Sequence, residues 1–261
     1  MGRNDAELNK VSVTDGVDLY VFTDKDAKHQ DTITVIVQDR QALLIDTAFP
    51  EYAGQVKKDL ESQGIEPKIV ILSHYHADHA SGCSVFSGCE IYASEFYEPN
   101  YNNCQVWEPQ YTFIRPQHMI KGGDQLTFGH FNLEFIHAPG HSKDSLITLI
   151  TGKILHGGDL IMMTKDKKAS LPFIADGGNF QEHIRSLERI KKIDPDILLV
   201  PHGGLVENKD DIVKMIDDRI YYLERTSSSM GTLPLPACLQ NDVSGYDYLE
   251  FHDTNLMRLI G

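Results

Sequence analysis

Three imidazoles and a carboxylate fall within six residues in the stretch Ser73-His74-Tyr75-His76-Ala77-Asp78-His79. Neutral imidazole nitrogens and carboxylate oxygens are the ligands that zinc and comparable divalent ions take. Side chains two apart on an extended chain share a face, so His74 and His76 can grip one ion together. As the chain turns toward a helix, Asp78 and His79 swing to a second position. Asp46 closes the apolar run Ala42-Leu43-Leu44-Ile45, and His141, Asp159 and His202 stand beside glycine or proline in Pro139-Gly140-His141, Gly157-Gly158-Asp159 and Pro201-His202-Gly203. Divalent ions in such a nest would serve hydrolysis, by lowering the pKa of water and by steadying an oxyanion.

The surrounding pattern is that of strands alternating with helices. Leu19–Phe22, Thr32–Val37, Ala42–Asp46 and Lys68–Leu72 read as strands from their β-branched and apolar content. Tyr52, Val56 and Leu60 recur at helical spacing, with Gly64 as the stop. In the second half, 126–128, 131–136, 145–150, 153–156 and 196–200 read as strands. Asn179 with Glu182 three residues later marks a helix start, and 209–224 reads as another helix, followed by a short helical tail. Two sheets between helices, with a site at the carboxyl ends of the strands, is the arrangement this order predicts.

Composition narrows the partners. The 24 Lys and Arg against 38 Asp and Glu give a net charge of −14, which argues against a nucleic-acid backbone as ligand. No run reaches the roughly 18 apolar residues of a membrane span, and Met1 to Glu7 holds no apolar signal core. The irregularly spaced Cys83, Cys89, Cys104 and Cys238 read as reduced thiols. A cytoplasmic protein with a small-molecule substrate and no membrane partner is expected, with a homodimer left open.

Taken in order, these residues resemble the metallo-β-lactamase superfamily. Its HxHxDH pattern stands here as His74, His76, Asp78 and His79. Asp46 matches its first motif, His141-Ser142 its GH[ST] turn, Gly158-Asp159 its GD, and Pro201-His202-Gly203 lies near its PGHG. The resemblance implies an α/β fold, the αββα four-layer sandwich, with a metallo-β-lactamase-like domain over 1–208 and a short helical C-terminal extension over 209–261 packed on it. It also implies two divalent metal ions, zinc first and iron or manganese as alternatives. His74, His76 and His141 would hold one ion; Asp78, His79 and His202 would hold the other; and Asp159 would bridge them. Asp46 would steady the metal-binding loop by hydrogen bonds, and Asp78 would also be catalytic, passing a proton to the leaving group.

Within that resemblance, an acid at Asp159 is similar to the glyoxalase-II-like, lactonase and ribonuclease-Z-like branches and unlike true β-lactamases, which carry Cys or Ser near there. Met162 stands where quorum-sensing lactonases place a Tyr, and the long insert of RNA-processing members is missing. The implied activity is thioester or ester hydrolysis, with lactone hydrolysis behind it. Metal-dependent phosphodiester cleavage and a non-catalytic metal-binding sensor are the competing classes. His29, His118, His130, His137, His156, His183 and His252 match no ligand position and read as core or surface, with His156 and His183 as candidates to border the pocket. Trp107, Tyr111 and Phe113 read as packing, in a stretch from Tyr97 to Arg115 with few clear periods, of the kind that covers sites. Apolar tail residues such as Tyr246, Leu249 and Phe251 suit a pocket wall or packing, or a dimer face.

Overall fold

Alternation of side chains along the strands sets the layers of this protein, whose computed structural model describes residues 6–260. Residues 1–5, most of the polar start discussed above, lie outside the described residues. One sheet holds β1 (Glu7–Thr14), β2 (Val17–Thr23), β3 (Gln30–Gln38), β4 (Gln41–Ile45), β5 (Glu66–Ile71), β6 (Glu90–Ser94) and β7 (His118–Ile120), side by side in chain order. The first four pair antiparallel. From β4 onward pairing is parallel, because α1 (Pro50–Ser62), α2 (Ala77–Ala80) and α3 (Glu98–Trp107) carry the chain back between strands.

The second sheet holds β8 (Gln125–Phe128), β9 (Phe131–His137), β10 (Leu146–Ile150) and β11 (Ile154–His156) as a meander. After the short β12 (Ala169–Ser170) and α4 (Phe180–Ile193), β13 (Ile197–Val200) joins β11 in parallel, and β14 (Gly204–Val206) forms the edge. Then come α5 (Lys209–Ser228), α6 (Leu235–Cys238), β15 (Tyr246–Asp247) and α7 (Phe251–Ile260). β15 pairs with β12, which ties the C-terminal segment to the chain following Asp159.

Leu43 and Ile45 face inward between the sheets, where they meet Ile36, Ile71, Leu133, Phe135, Leu146 and Leu199. Ala42 and Leu44 face the other way and pack with Tyr52, Val56 and Leu60 of α1. On the outer face of the second sheet, Ile136, Ile147, Leu155 and Leu198 take Ile184 and Leu187 of α4 and Ile212, Ile216 and Leu223 of α5. Helix, sheet, sheet, helix is thus the layer order, the αββα sandwich that the sequence implied. Each fully buried Leu or Ile contributes roughly 1.5–3 kcal/mol over an exposed one. A one-residue slip of β4 would turn this whole set to the wrong faces, so its register, and the position of Asp46 at its end, is strongly fixed.

α4 starts as expected, with Asn179 Oδ1 accepting from the Glu182 amide at 3.0 Å. α5 runs four residues beyond the expected 224, to Ser228, because Thr226 is buried and Ser227 Oγ bonds back to the Leu223 carbonyl at 2.7 Å. The larger departure is α3. The stretch from Tyr97 was expected to be irregular, yet Glu98–Trp107 is helical, with Asn100, Tyr101 and Cys104 as its buried contacts. Its polar composition leaves a single buried Tyr and Cys where an apolar stripe would announce a helix. Burial of those two against the first helical layer holds it in place.

Candidate metal centre

All five candidate segments follow the carboxyl end of a strand, so the two sheets deliver them to one edge of the sandwich. Asp46 comes directly after β4, and 74–79 follow β5. His141 lies between β9 and β10, Asp159 in the turn after β11, and His202 after β13. The chain bends at Ser73 and His74 after β5, is extended at His76 (φ −100°, ψ 159°), the N-terminal flank of α2, and is helical at Asp78 and His79. Tyr75, between the two histidines, points into the core, and its hydroxyl donates to the Ile114 carbonyl. Gly140 holds φ +149°, and a Cβ there would come within 2.2 Å of the His183 backbone. Only glycine lets the His141 turn sit this close to α4.

The ring nitrogens converge. His74 Nε2 and His141 Nε2 lie 2.9 and 3.1 Å from His76 Nδ1. His202 Nε2 lies 3.2 Å from Asp78 Oδ2, and His79 Nε2 lies 3.9 Å from Asp78 Oδ1. Asp159 Oδ2 stands between the two groups, 3.8 Å from His74 Nε2, 3.7 Å from His141 Nε2, 3.4 Å from His79 Nε2 and 3.5 Å from His202 Nε2. Donor atoms of His74, His76 and His141 lie within 4.8 Å of one another, as do those of Asp78, His79 and His202 and those of His74, His79 and Asp159. His79 Nε2 and Asp159 Oδ1 are buried with no hydrogen-bond partner. Buried polar atoms rarely go unpaired, and lone pairs this close repel unless a positive charge lies among them. The N and O donors present therefore fit two divalent cations.

Hydrogen bonds on the far side of four of the five rings set this orientation. His79 Nδ1 donates to Asp46 Oδ2 at 2.8 Å, and His141 Nδ1 donates to the Phe173 carbonyl at 2.8 Å. His202 Nδ1 faces the Gln30 carbonyl at 3.2 Å and Asp31 Oδ1 at 3.3 Å. Ser73 Oγ donates to Asp46 Oδ2 at 2.7 Å, which leaves its lone pair for His74 Nδ1 at 3.1 Å. Anchoring Nδ1 on the far side turns Nε2 of these four rings toward the centre, as the nitrogen that would meet an ion. Asp46 also accepts from the Ser73 amide at 2.7 Å and holds a left-handed φ of 60°. Asp46→Asn keeps the shape but gives up an acceptor for these donors. It is expected to weaken metal affinity roughly 10–100-fold, read by competition with a chromogenic chelator.

Burial and the neighbouring imidazoles hold His74 well below the ordinary histidine range, and burial brings His141 down to about 3. Burial also works against charging His79 and His202, yet the carboxylates around them, Asp159 first, outweigh it and hold both well above that range. Asp159 and Asp78 show the reciprocal effect. Burial disfavours their ionised forms, and the imidazoles of His79 and His202 more than compensate. Both carboxylates are thus ionised at neutral pH, as ligands must be.

Sequence reasoning missed several supporting groups. Asp144 accepts from the Tyr75 amide at 2.8 Å, Asn100 Nδ2 at 2.6 Å and Ser142 Oγ at 2.8 Å, which joins the histidine loop to the His141 turn. His29 lines the pocket, where burial lowers it to about 4. His156 is buried with its Nε2 3.8 Å from Asp46, and His183 lies under the Gly140 turn, so neither borders the cavity. Of the three aromatics read as packing, Phe113 is in the core, but Trp107 is 61% exposed and, with Tyr111, lines the cavity. Nothing local in the sequence marks Asp144 or His29, whose partners lie far along the chain.

Comparisons with known proteins agree with this arrangement. A family model described as the metallo-beta-lactamase superfamily matches residues 28–202, a span that includes every candidate ligand. A hydroxyacylglutathione hydrolase from Tolumonas auensis is 24% identical over 204 residues, covering 76% of this chain and 72% of that protein. A beta-lactamase-like protein 2 homolog from Drosophila melanogaster is 22% identical over 170 residues, 63% of this chain; the chain spans 56% of that relative's length. Among solved structures, a metallo-beta-lactamase from Pontibacter korlensis superposes with a TM-score of 0.69 at 16% identity, covering 84% of this chain and 99% of that one. DIM-1 metallo-beta-lactamase gives 0.66 at 15% identity, over 85% and 100%. Identities this low speak to the fold. With the family model spanning well over half of its length, the chain belongs to the metallo-beta-lactamase superfamily.

Proposed function

We propose that this protein is a dinuclear metal-dependent hydrolase of small carboxyl derivatives, thioesters or esters ahead of lactones. In this reading His74, His76 and His141 would hold one divalent ion, Asp78, His79 and His202 would hold the other, and Asp159, which lies between the two groups, would serve both. The observation that carries it is the place of Asp159 Oδ2, within 3.4–3.8 Å of ring nitrogens from both groups. Zinc suits the donor set, and iron or manganese fit it as well.

Two such ions, when bound, supply a hydroxide at neutral pH and stabilise the oxyanion formed on the substrate carbonyl. The chain's own part is positioning and proton transfer. Asp78 keeps about a third of its side chain exposed (35%) while the rings beside it are buried. Of the two carboxylates among the candidate ligands it is the more open to substrate. Its oxygens would hold the proton that water gives up in becoming hydroxide and pass it to the departing sulfur or oxygen as the C–S or C–O bond breaks. Met162, Ala175 and Phe173 give the cavity, about 730 Å³, apolar surface next to the reacting edge.

The test is a panel of thioester, ester, lactone and bis(p-nitrophenyl) phosphate, offered to protein loaded with zinc, manganese or iron, with elemental analysis of each preparation. Chelator-sensitive hydrolysis of thioesters or esters is the expected result. Turnover of the phosphodiester alone would move the protein to phosphodiester cleavage. Absence of any chelator-sensitive turnover in protein holding two ions would favour a metal-binding sensor.

A further inference from the structure

Aromatic rings form a band around one side of the cavity. Ring centroids are 5.8 Å apart from His141 to Phe173, 4.7 Å from Phe173 to Phe251 and 5.0 Å from Phe251 to Tyr248. The series continues from Tyr248 to His29 at 3.9 Å and from His29 to His202 at 5.0 Å. The band therefore begins at one candidate ligand and ends at another, beside the reacting edge. Phe49 and Tyr111, 5.7 Å apart, and the exposed Trp107 add rings from the first half of the chain.

Charge tells the same story. Beyond Asp78 and Asp159, the described lining carries two carboxylates, Glu108 and Asp176, and one cation, Arg258. The Arg258 guanidinium is already paired with Asp176. Outside the imidazoles of the metal centre, no unpaired cation remains among the described lining residues to receive a carboxylate on a substrate; Lys28, whose Nζ lies 5.2 Å over the Tyr248 ring, is itself paired with Asp247 at 3.3 Å, and the whole chain carries −14. Ring faces at these spacings hold flat apolar groups by offset or edge contact. Away from the two ions the centre would hold, an anionic carrier would leave its distal carboxylates without a partner among the lining side chains.

We propose that this site selects carboxyl derivatives whose acyl group is an uncharged aromatic ring or a comparably flat apolar group, and that it discriminates against anionic thiol carriers such as glutathione. The proposal rests on the hydrolase reading for its chemistry, but the preference of the cavity is measurable without turnover. It would separate this chain from relatives that are called hydroxyacylglutathione hydrolases.

Trp107 is the single tryptophan of the chain, so its emission reports on the cavity alone. Benzamide, an uncharged unreactive probe, is expected to change that emission saturably in metal-free protein, and glutathione is not. Phe251→Ala should weaken the apparent benzamide affinity about tenfold, in line with loss of an aromatic contact, with Phe251→Leu between it and the native protein. No saturable response to benzamide, a stronger response to glutathione, or undiminished affinity in folded Phe251→Ala or Phe251→Leu protein would each overturn the proposal. In metal-loaded protein, kcat/KM for S-benzoyl-N-acetylcysteamine should exceed that for S-lactoylglutathione by about tenfold or more, and the reverse order would also overturn it. Hydrolysis of neither would count against the hydrolase reading, while the benzamide titration would still decide the chemistry of the cavity.

Discussion

Asp78→Ala is expected to lower kcat/KM about a thousandfold, within the range for removal of a positioned proton-transfer group, with the far-UV circular dichroism unchanged. The side chain faces the cavity, and its contacts are to ring nitrogens, His202 Nε2 at 3.2 Å and His79 Nε2 at 3.9 Å. The neighbouring His79 and Ala80 make the buried contacts of α2, so the fold keeps its supports. Elemental analysis of the variant separates loss of an ion from loss of the proton relay. Asp78→Asn refines the test, because an amide keeps the shape and an oxygen but takes up no proton at neutral pH. A native-like rate in either variant would contradict the proposed role.

Asp159→Ala should reduce bound metal from two ions per chain toward one and lower activity by about a hundredfold or more, since loss of even an outer partner of a ligand costs roughly 10–100-fold. Asp159 is buried, and one of its oxygens has no hydrogen-bond partner while the other faces four ring nitrogens. It is also the first of the carboxylates that keep His79 and His202 above the ordinary histidine range. Its removal should therefore let both rings titrate lower in metal-free protein, visible in the proton NMR of their ring C–H groups. Two tightly held ions in the variant would argue against the bridging role.

Much of this site was legible because it is local. Residues 74–79 carry their own geometry: His74 Nε2 and His76 Nδ1 meet at 2.9 Å, and the turn into α2 sets His79 against the other side of His74, ring centroids 4.1 Å apart, and Asp78 beside His202. Asp46, His141, Asp159 and His202 were legible through the family's motif order, since strand ends are where layered folds place ligands. The strands β3, β4, β10 and β13 were legible because their outward and inward faces are both largely buried and their residues are correspondingly apolar, β5 through its apolar end Ile69-Val70-Ile71, and β9 through the alternation of buried and more exposed residues over Phe131–Glu134. α3 was not, because its polar sequence has no stripe and tertiary contacts alone decide its state. Nor was the aromatic band. Phe173, Tyr248 and Phe251 are separated from His29 by well over a hundred residues, and β15 pairing with β12 brings the tail to the cavity. Tyr248 takes a left-handed φ of 55° there, a conformation no local pattern announced.

The division of the candidate ligands between two sheets has a consequence for biosynthesis. A chain still emerging from the ribosome can display 74–79 long before His141, Asp159 and finally His202 have been made. Until that last imidazole arrives, an ion meets only a partial nest with water on its open side. Capture would thus be weak and exchangeable throughout translation, and would become firm once both halves close, so that the finished molecule would take up the two proposed cations late and together.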